Sequence, residues 1–266
     1  MLSRDEPMKK TQIVVPCYNE SKRIKTEAFL GALKRNPNLS FLFVNDGSTD
    51  DTLHVLQSIK EKNPLQIDVL NLEKNSGKAE AVRQGMLKSL EGSFDNVGYW
   101  DADLATPANA IEDFCRLLDS RNAQIVMGSR VRLLGRNIER KAARHYLGRI
   151  FATCASLLLN INIYDTQCGA KIFRVSDSLK KVFQKPFKVH WTFDVEMFAR
   201  FPMVTGKPLD EISSRWVEYP LDEWFEVQGS NIRPKHFIKG GGEFLTLCLY
   251  LRTPARKIYE KYLLGS

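Results

Sequence analysis

The sequence predicts an α/β fold with a mostly parallel central sheet and helices on both of its faces. Short apolar runs rich in β-branched residues alternate with stretches of helical character through the first half of the chain, which is typical of strands joined by crossover helices. The runs are apolar almost throughout, as expected of strands that are buried on both faces. Polar clusters follow them, at the sheet edge where such folds bind ligands.

The predicted elements follow in chain order. Strands are expected at 12–16, 39–44, 66–72, 97–101 and 124–129, with helices at 22–35, from 52 to about 63, at 78–91 and from near Pro107. The second half is less regular, with a helix at 150–163, a strand that ends at 174, a helix from 190 toward 200 and a strand at 212–219. Three glycines, 240–242, are expected to break the chain before the apolar run 244–251.

We expect three segments, namely a polar tail at 1–10, one large α/β domain at 11–230 and a basic, amphipathic segment at 231–266. The apolar run 244–251 fits two roles, a helix that covers the core and a helix that lies on a membrane surface. The tail lacks the apolar core of a signal peptide, and no run reaches the roughly 18 apolar residues of a membrane span. If the protein meets a membrane, we therefore expect it to lie on the surface rather than to cross the bilayer.

The net charge of +8 comes from two parts of the sequence. Residues 130–149 contribute +6 and residues 231–266 contribute +5, so the rest of the chain is slightly acidic. Nucleic acid, anionic lipid and phosphate are all partners for clustered cations. The five cysteines are scattered and form no Cys-x-x-Cys pair, which indicates reduced thiols in a cytoplasmic protein.

Two common nucleotide-binding motifs are absent from the sequence. A dinucleotide-binding protein carries Gly-x-Gly-x-x-Gly after its first strand, whereas residues 16–21 contain no glycine. Gly77-Lys78 is followed by Ala79, so it is not a phosphate-binding loop of the Lys-Ser/Thr type. A phosphatase with an Asp-x-Asp-x-Thr/Val motif is also disfavoured, because Ala105 occupies the fifth position.

Asp101 and Asp103 stand at the end of the fourth predicted strand. Residues i and i+2 of a strand point to the same side, so both carboxylates are expected to face one point beyond the sheet edge. Two carboxylates without a nearby His or Cys suit Mg²⁺ or Mn²⁺ shared with phosphate oxygens. A turn or a helix cap built from acids is the alternative.

Four polar motifs follow the first four predicted strands, at residues 14–20, 44–50, 75–78 and 101–103. Their order and spacing resemble the family-2 glycosyltransferases of GT-A fold. In the second half, residues 165–169, 191–196 and 229–231 resemble the dolichyl-phosphate β-glucosyltransferase branch of that family. Members of the branch carry an N-terminal membrane anchor, and related bacterial enzymes carry C-terminal spans; we expect neither in this sequence.

The resemblance implies a nucleotide-sugar site at the sheet edge, with a UDP-hexose as donor and Mg²⁺ or Mn²⁺ as cofactor. Glu20 and Asp46 would hold the base and the ribose, and a carboxylate can accept a hydrogen bond from the N–H of uracil. Asp103 would bind the metal ion together with Asp101, which would also reach the ribose or a metal-bound water. The other residues implied at this site are Pro16, Tyr18, Gly77, Lys78 and Ala102. Helix caps are the alternative for the two acids, and a solvated position is the alternative for Lys78.

By the same resemblance, Asp194 occupies the position of the family's catalytic base. A hydroxyl acceptor needs such a base, whereas a phosphate monoester is already anionic at about pH 7 and needs cations nearby instead. Segment 130–149 supplies cations, and arginine can hold phosphate with two parallel hydrogen bonds. The expected acceptor-site residues are Arg130, Arg132, Arg140, Arg144 and Gln167. A solvated basic face is the alternative.

Taken together, the motifs and the basic segments predict a metal-dependent, inverting glycosyltransferase. It is expected to move a hexose, glucose from UDP-glucose, to a polyprenyl phosphate at the cytosolic face of a membrane, and not to bind nucleic acid. Two alternatives stay open: transfer to a saccharide or protein hydroxyl, and a nucleotide-sugar-binding protein without turnover.

Overall fold

The computed structural model describes residues 8–139, 142–225 and 234–265, and the side chains of 142–145 and 234–238 lie outside the description. The strands are β1 (Thr11–Cys17), β2 (Leu39–Asp46), β3 (Ile67–Leu72), β4 (Asn96–Trp100), β5 (Ile125–Ser129), β6 (Asn137–Ile138), β7 (Ala170–Arg174), β8 (Trp216–Pro220) and β9 (Glu223–Trp224). The helices are α1 (Thr26–Arg35), α2 (Thr52–Lys62), α3 (Lys78–Ser89), α4 (Ala110–Ser120), α5 (Ala142–Leu159), α6 (Asp177–Gln184), α7 (Phe193–Thr205), α8 (Leu209–Ser213), α9 (Pro234–Arg252) and α10 (Ala255–Leu264).

Seven strands form the central sheet in the order β3-β2-β1-β4-β7-β5-β8. β7 is antiparallel to both of its neighbours, and the other pairs of this sheet are parallel, which confirms the predicted mostly parallel sheet. Strand order reverses between β1 and β4, and the crevice at such a reversal is where open α/β sheets bind ligands. A separate two-stranded sheet joins β6 to β9 in parallel, and the sequence analysis did not predict it.

Successive residues of the central strands pack on opposite faces of the sheet. Val14 and Leu42 belong to one apolar core, whereas Ile13 and Phe41 belong to the core on the other face. This arrangement confirms that helices cover both faces, and it explains why the strands are apolar throughout. Helix α3 lies so close to the sheet that a Cβ atom at Gly85 would stand 2.4 Å from a methyl group of Val14.

Several predicted boundaries were wrong. The helix predicted at 150–163 begins at Ala142 and ends at Leu159, and helix α1 begins at Thr26 instead of 22. The strand predicted at 212–219 starts only at Trp216, because the chain first makes the short helix α8. Proline fixes φ near the helical value, and Pro208, with a φ of −65°, directly precedes that helix.

The predicted break at Gly240–Gly242 was also wrong, because α9 runs through all three glycines without interruption. Glycine costs a helix about 1 kcal/mol relative to alanine, but here it permits a close approach. A Cβ atom at Gly240 would lie 2.3 Å from the indole ring of Trp191. Packing of the helix against this ring therefore outweighs the local preference of glycine for a turn.

Both roles considered for the run 244–251 have a counterpart in the structure. Leu247 and Leu251 are buried against the core, so one face of α9 covers it. Leu245 and Leu249 on the other face are exposed. Within the described ranges, no helix has both the length and the apolar character needed to cross a bilayer.

Candidate active site

The candidate site lies at the carboxyl edge of the sheet, where the loop after β2 holds the loop before α3. The two carboxylate oxygens of Asp46 accept hydrogen bonds from the backbone N–H groups of Ser76 and Gly77, each at 2.8 Å. Burial raises the pKa of Asp46, although these two hydrogen bonds oppose the shift. Gly77 has a φ of +88°, a conformation that glycine adopts readily. Asp46 therefore fixes the turn from which Lys78 projects.

Lys78 and Asp101 form an ion pair at the start of the cavity, with 2.5 Å between Nζ and Oδ1. Desolvation lowers the pKa of the ammonium, but the charges of Asp101 and Asp194 outweigh it, so the pKa of Lys78 is raised. Asp101 also packs on Gly169, where a Cβ atom would stand 2.0 Å from its Oδ2. The backbone N–H of Asp101 donates to the carbonyl of Gly169 at 3.0 Å.

Asp101 and Asp103 come together through a turn and not through strand alternation, so the geometric reason given above was wrong. β4 ends at Trp100, and the N–H of Leu104 donates to the carbonyl of Asp101 at 3.2 Å. Leu104 has a φ of +50°, which is unusual for a branched apolar residue and is found at functional sites. Burial first, and then the like charge of Asp101, raise the pKa of Asp103.

The pair of acids fits a hard divalent cation that is shared with a ligand. Two carboxylates whose charges repel one another suit Mg²⁺ or Mn²⁺, since both ions prefer oxygen donors. No group of three or more His, Cys, Asp or Glu side chains that could hold a metal occurs among the residues that the structure describes. The remaining ligands would therefore have to come from phosphate oxygens and water.

Glu20 follows β1, near enough to Asp101 and Asp103 for their charges to act on it. Its Oε1 atom accepts a hydrogen bond from Arg23 at 2.6 Å, and Oε2 is buried without a hydrogen-bond partner in the described structure. Burial raises the pKa of Glu20. A buried, unsatisfied carboxylate oxygen is uncommon and is explained when a ligand supplies the donor. Of the other predicted residues, Tyr18 is exposed, Pro16 is half-buried and Ala102 is buried.

Asp194, on α7, accepts two hydrogen bonds at the same oxygen. Lys171 Nζ lies 2.6 Å and the Tyr99 hydroxyl 2.5 Å from Asp194 Oδ1. Lys171 also donates to the carbonyl of Cys168 at 2.6 Å. Burial first, and then the neighbouring carboxylate, raise the pKa of Tyr99 well above its usual value. Asp194 therefore enters the cavity as a carboxylate that is already paired with a cation.

Two arginines of the basic segment line the cavity. Arg130 holds Asp165 through two parallel hydrogen bonds of 2.7 and 2.8 Å. Arg149 donates to the carbonyl of Tyr164 at 2.9 Å, and its guanidinium lies 3.6 Å from the centre of that ring. Gln167 lines the same cavity, and its Nε2 atom is buried without a hydrogen-bond partner in the described structure.

None of the other predicted arginines lines this cavity among the residues that the structure describes. Arg132 lies on the exposed stretch after β5 and is not among the residues that line the cavity. Arg140 falls outside the described residues, as does the motif at 229–231, and the side chain of Arg144 is not described either.

A cavity of about 550 Å³ is lined by Lys78, Asp101, Asp103 and Asp194 and also by Arg130 and Arg149. The predicted residues Pro16, Tyr18, Glu20, Asp46, Gly77 and Ala102 do not line it. Its remaining wall is largely apolar and aromatic and comes from α5, α9, β9 and the loop before α7, with Leu147, Ile150, Phe151, Trp191, Trp224 and Phe244. The cavity can therefore hold a ligand with an anionic head and an apolar body.

Residues 12–182 match the family model described as Glycosyl transferase family 2. The chain belongs to glycosyl transferase family 2. A dolichyl-phosphate beta-glucosyltransferase of Trichomonas vaginalis is 31% identical over 264 residues, which cover 94% of this chain and 74% of that protein. The protein of the same name from Homo sapiens is 31% identical and covers 86% of this chain and 72% of that protein. The one from Saccharomyces cerevisiae is 30% identical and covers 83% of this chain and 68% of that protein. These matches confirm the resemblance drawn from the motifs.

Solved structures confirm the GT-A fold. Glucosyl-3-phosphoglycerate synthase from Mycobacterium tuberculosis, in complex with Mn²⁺, UDP and glucosyl-3-phosphoglycerate, has a TM-score of 0.62 at 17% identity, covering 92% of this chain and 81% of that one. A mannosyltransferase from Pyrobaculum calidifontis, in complex with GDP-mannose and Mn²⁺, has a TM-score of 0.58 at 17% identity. The match covers 95% of this chain and 65% of that one.

The sequence analysis did not select three residues that shape this family-2 site. Lys171 could have been found as a cation near the start of the apolar strand β7, which also contains Arg174 at its end. Arg149 lies within the basic segment but was not selected. Glu218, on β8, accepts the N–H groups of Tyr164 and Asp165 at 2.8 Å each, and burial raises its pKa; nothing in its local sequence pointed to that contact.

Proposed function

We propose that the protein is an inverting glucosyltransferase that moves glucose from UDP-glucose to a polyprenyl phosphate of the dolichyl type. The observation that carries the proposal is the cavity that joins the acidic pair, two arginines and an apolar wall. A sugar nucleotide needs the acidic pair, and a lipid phosphate needs the arginines and the apolar wall. The named relatives of this family-2 chain support the same choice of acceptor.

On the donor side, Glu20 would accept a hydrogen bond from the base and Asp46 would contact the ribose. Asp103 and Asp101 would hold Mg²⁺ or Mn²⁺, a Lewis acid that stabilises the negative charge on the leaving nucleoside diphosphate. Lys78 adds a second cation beside the same phosphates, because its Nζ atom already lies 2.5 Å from Asp101. Three charged side chains would then stand where the leaving group departs.

On the acceptor side, a phosphate oxygen attacks the sugar carbon from the face opposite the leaving group. This nucleophile is already ionised at about neutral pH, so no proton has to be removed. Asp194 then has a positioning role, since its Oδ1 atom is held by Lys171 and Tyr99. Arg149 and Arg130 would orient the phosphate, and Gln167 would supply a further donor.

The apolar body of the acceptor would leave the cavity along α5 and α9. Exposed apolar side chains continue outward from it on both helices, at Ile150, Leu157, Leu245 and Leu249. Burying such side chains in a lipid surface is favourable at about 25 cal/mol for each Å² of apolar area. We propose that this surface rests on the cytosolic face of a membrane, with the lipid phosphate entering from the bilayer.

The test is a transfer assay with radiolabelled UDP-glucose, Mg²⁺ or Mn²⁺, and a polyprenyl phosphate in detergent or vesicles. The expected product is an acid-labile glycolipid that forms only when nucleotide, metal and lipid phosphate are all present. Asp103→Asn should abolish its formation, whereas Asp95→Asn, directly before β4 and not among the residues that line the cavity, should not. Transfer to a sugar or protein hydroxyl but never to the lipid would overturn the acceptor assignment, and the lack of turnover with any nucleotide sugar would overturn the enzyme assignment.

A further inference from the structure

Every backbone N–H group of residues 188–192, here called the clasped loop, donates to a carboxylate. Glu196, on α7, accepts from the first two residues at 2.8 to 3.0 Å. Glu243, on α9, accepts from the next three, all at its Oε2 atom, at 3.2, 2.7 and 3.0 Å. A single carboxylate oxygen from the C-terminal helix thus anchors three consecutive residues of a loop more than 50 positions earlier in the chain.

Glu243 also binds the residue at the N-cap of α7, through both its backbone N–H and its hydroxyl. Thr192 occupies the N-cap position of α7, but its side chain makes no capping hydrogen bond. The Thr192 hydroxyl instead lies 3.3 Å from Glu243 Oε2. A carboxylate is favourable here, since the first N–H groups of a helix have no partner within it and the helix dipole is positive at this end. Asp194 is the second residue of α7, so Glu243 fixes the start of the helix that brings Asp194 into the cavity.

Packing joins α9 to the same loop. Gly240 lies against the Trp191 indole so closely that an added Cβ would stand 2.3 Å from the ring. Phe151 lies between the two elements, with its ring centre 6.0 Å from that of Trp191 and 5.6 Å from that of Phe244. Trp191, Phe151 and Phe244 all line the cavity. The clasped loop and α9 therefore form one continuous wall.

We infer that Glu243 is a positioning residue that couples α9 to the acceptor side of the active site, an inference that rests on the proposed function. His190 and Trp191 line the cavity, so a shift of α9 moves this wall and the start of α7 together. The hydrogen bonds that hold the donor side do not involve α9, because Asp46 binds the loop before α3 and Lys78 binds Asp101. Loss of the carboxylate should therefore impair transfer and spare nucleotide binding.

The first experiment measures amide hydrogen exchange in the unliganded protein for Glu243→Ala and for the control Glu260→Gln. Glu260 lies on α10 and pairs with Arg256 at the surface. In Glu243→Ala we expect residues 190–192 to exchange faster while residues 188–189, still held by Glu196, remain protected. The control should match the wild type. Unchanged exchange at 190–192 would overturn the anchoring role, whether or not the protein has the proposed activity.

The second experiment compares the kinetics of the same variants with UDP affinity measured by calorimetry. We expect kcat for transfer to the lipid phosphate to fall at least about tenfold in Glu243→Ala, because small displacements in an active site are costly to rate. The Kd for UDP should stay within about twofold of the wild type, as expected when only one side of a site changes. An equal loss of kcat and of UDP affinity would indicate a merely structural role for Glu243. A kcat equal to that of the wild type would overturn the coupling.

A matched pair of glycines tests the same coupling without touching a charge. Gly240→Ala would push α9 off the Trp191 ring, whereas at Gly242 a Cβ atom meets nothing within 4 Å. We expect Gly240→Ala to lower kcat and to change the fluorescence of Trp191, and Gly242→Ala to do neither. Equal effects of the two substitutions would contradict the inference. If the wild type transfers no sugar at all, the proposed function fails, while the fluorescence still reports on the contact of α9 with the loop.

Discussion

Lys171 Nζ and Asp194 Oδ1 lie 2.6 Å apart, and the lysine side chain is fully buried. A buried ion pair is costly to break, because either charge left alone has no water to solvate it. The pair lies between strand β7 and helix α7 and thus joins the sheet to the helix that enters the cavity. The first prediction concerns how much this ion pair contributes to the free energy of unfolding.

Lys171→Met should lower the free energy of unfolding by about 3–5 kcal/mol, as for other buried pairs that lose one partner. Urea unfolding at neutral pH measures the change. Lys60→Met is the control, since Lys60 and Asp68 form a partly exposed pair whose loss should cost less than about 1 kcal/mol. Equal losses for the two variants would show that the buried pair has no special role.

The second prediction concerns pH. Burial and the charge of Asp101 raise the pKa of Asp103, and a metal ligand must be deprotonated. Mn²⁺-dependent UDP binding should therefore be complete above this raised pKa and be lost as the pH falls through it, at a higher pH than for an ordinary aspartate. Calorimetry from about pH 8 down to about pH 4 would follow the loss.

Asp101→Asn tests the cause of that pH dependence. The substitution removes the like charge, so the pKa of Asp103 should fall and the midpoint of UDP binding should move to lower pH, although binding as a whole becomes weaker. A midpoint that stays in place would show that burial alone raises the pKa of Asp103.

The third prediction concerns Gly169, which permits the position of Asp101. A Cβ atom at Gly169 would stand 2.0 Å from Asp101 Oδ2, so alanine must displace the carboxylate from Lys78. We expect Gly169→Ala to weaken Mn²⁺-dependent UDP binding at least about tenfold, the loss of one charged hydrogen bond. Gly31→Ala on α1, where a Cβ atom would make an ordinary contact at 3.6 Å with the side chain of Arg35, should bind UDP as the wild type does.

The fourth prediction separates the two kinds of acceptor. For a lipid phosphate, Arg149→Gln should lower kcat/KM for the lipid about ten- to a hundredfold, corresponding to about 1.5–3 kcal/mol for a charge-assisted hydrogen bond. Arg136→Gln is the control within the same basic segment, because Arg136 pairs with Asp222 and does not line the cavity. If Asp194→Asn abolishes transfer while Arg149→Gln leaves it intact, a hydroxyl is the acceptor.

The sequence by itself determined the fold class of this protein and the sheet edge at which its candidate site lies. Strand and helix periodicity are local properties, so the order of elements could be predicted, and Glu20, Asp46, Lys78, Asp101 and Asp103 each follow a strand. In a parallel sheet the ends of such strands meet at one edge, whatever the details of packing. Their common location therefore followed from local patterns alone.

Only the tertiary structure decided how the wall of the cavity is built. Arg130 proved to be bound to Asp165, Asp194 to Lys171, and the clasped loop to Glu243 on a helix whose glycines had predicted a break. These contacts join residues that lie far apart in the chain, and no local pattern encodes which side chains will meet. Glycine at 240 has a conformational preference that the sequence reveals, but the Trp191 ring that outweighs it becomes visible only after the chain has folded.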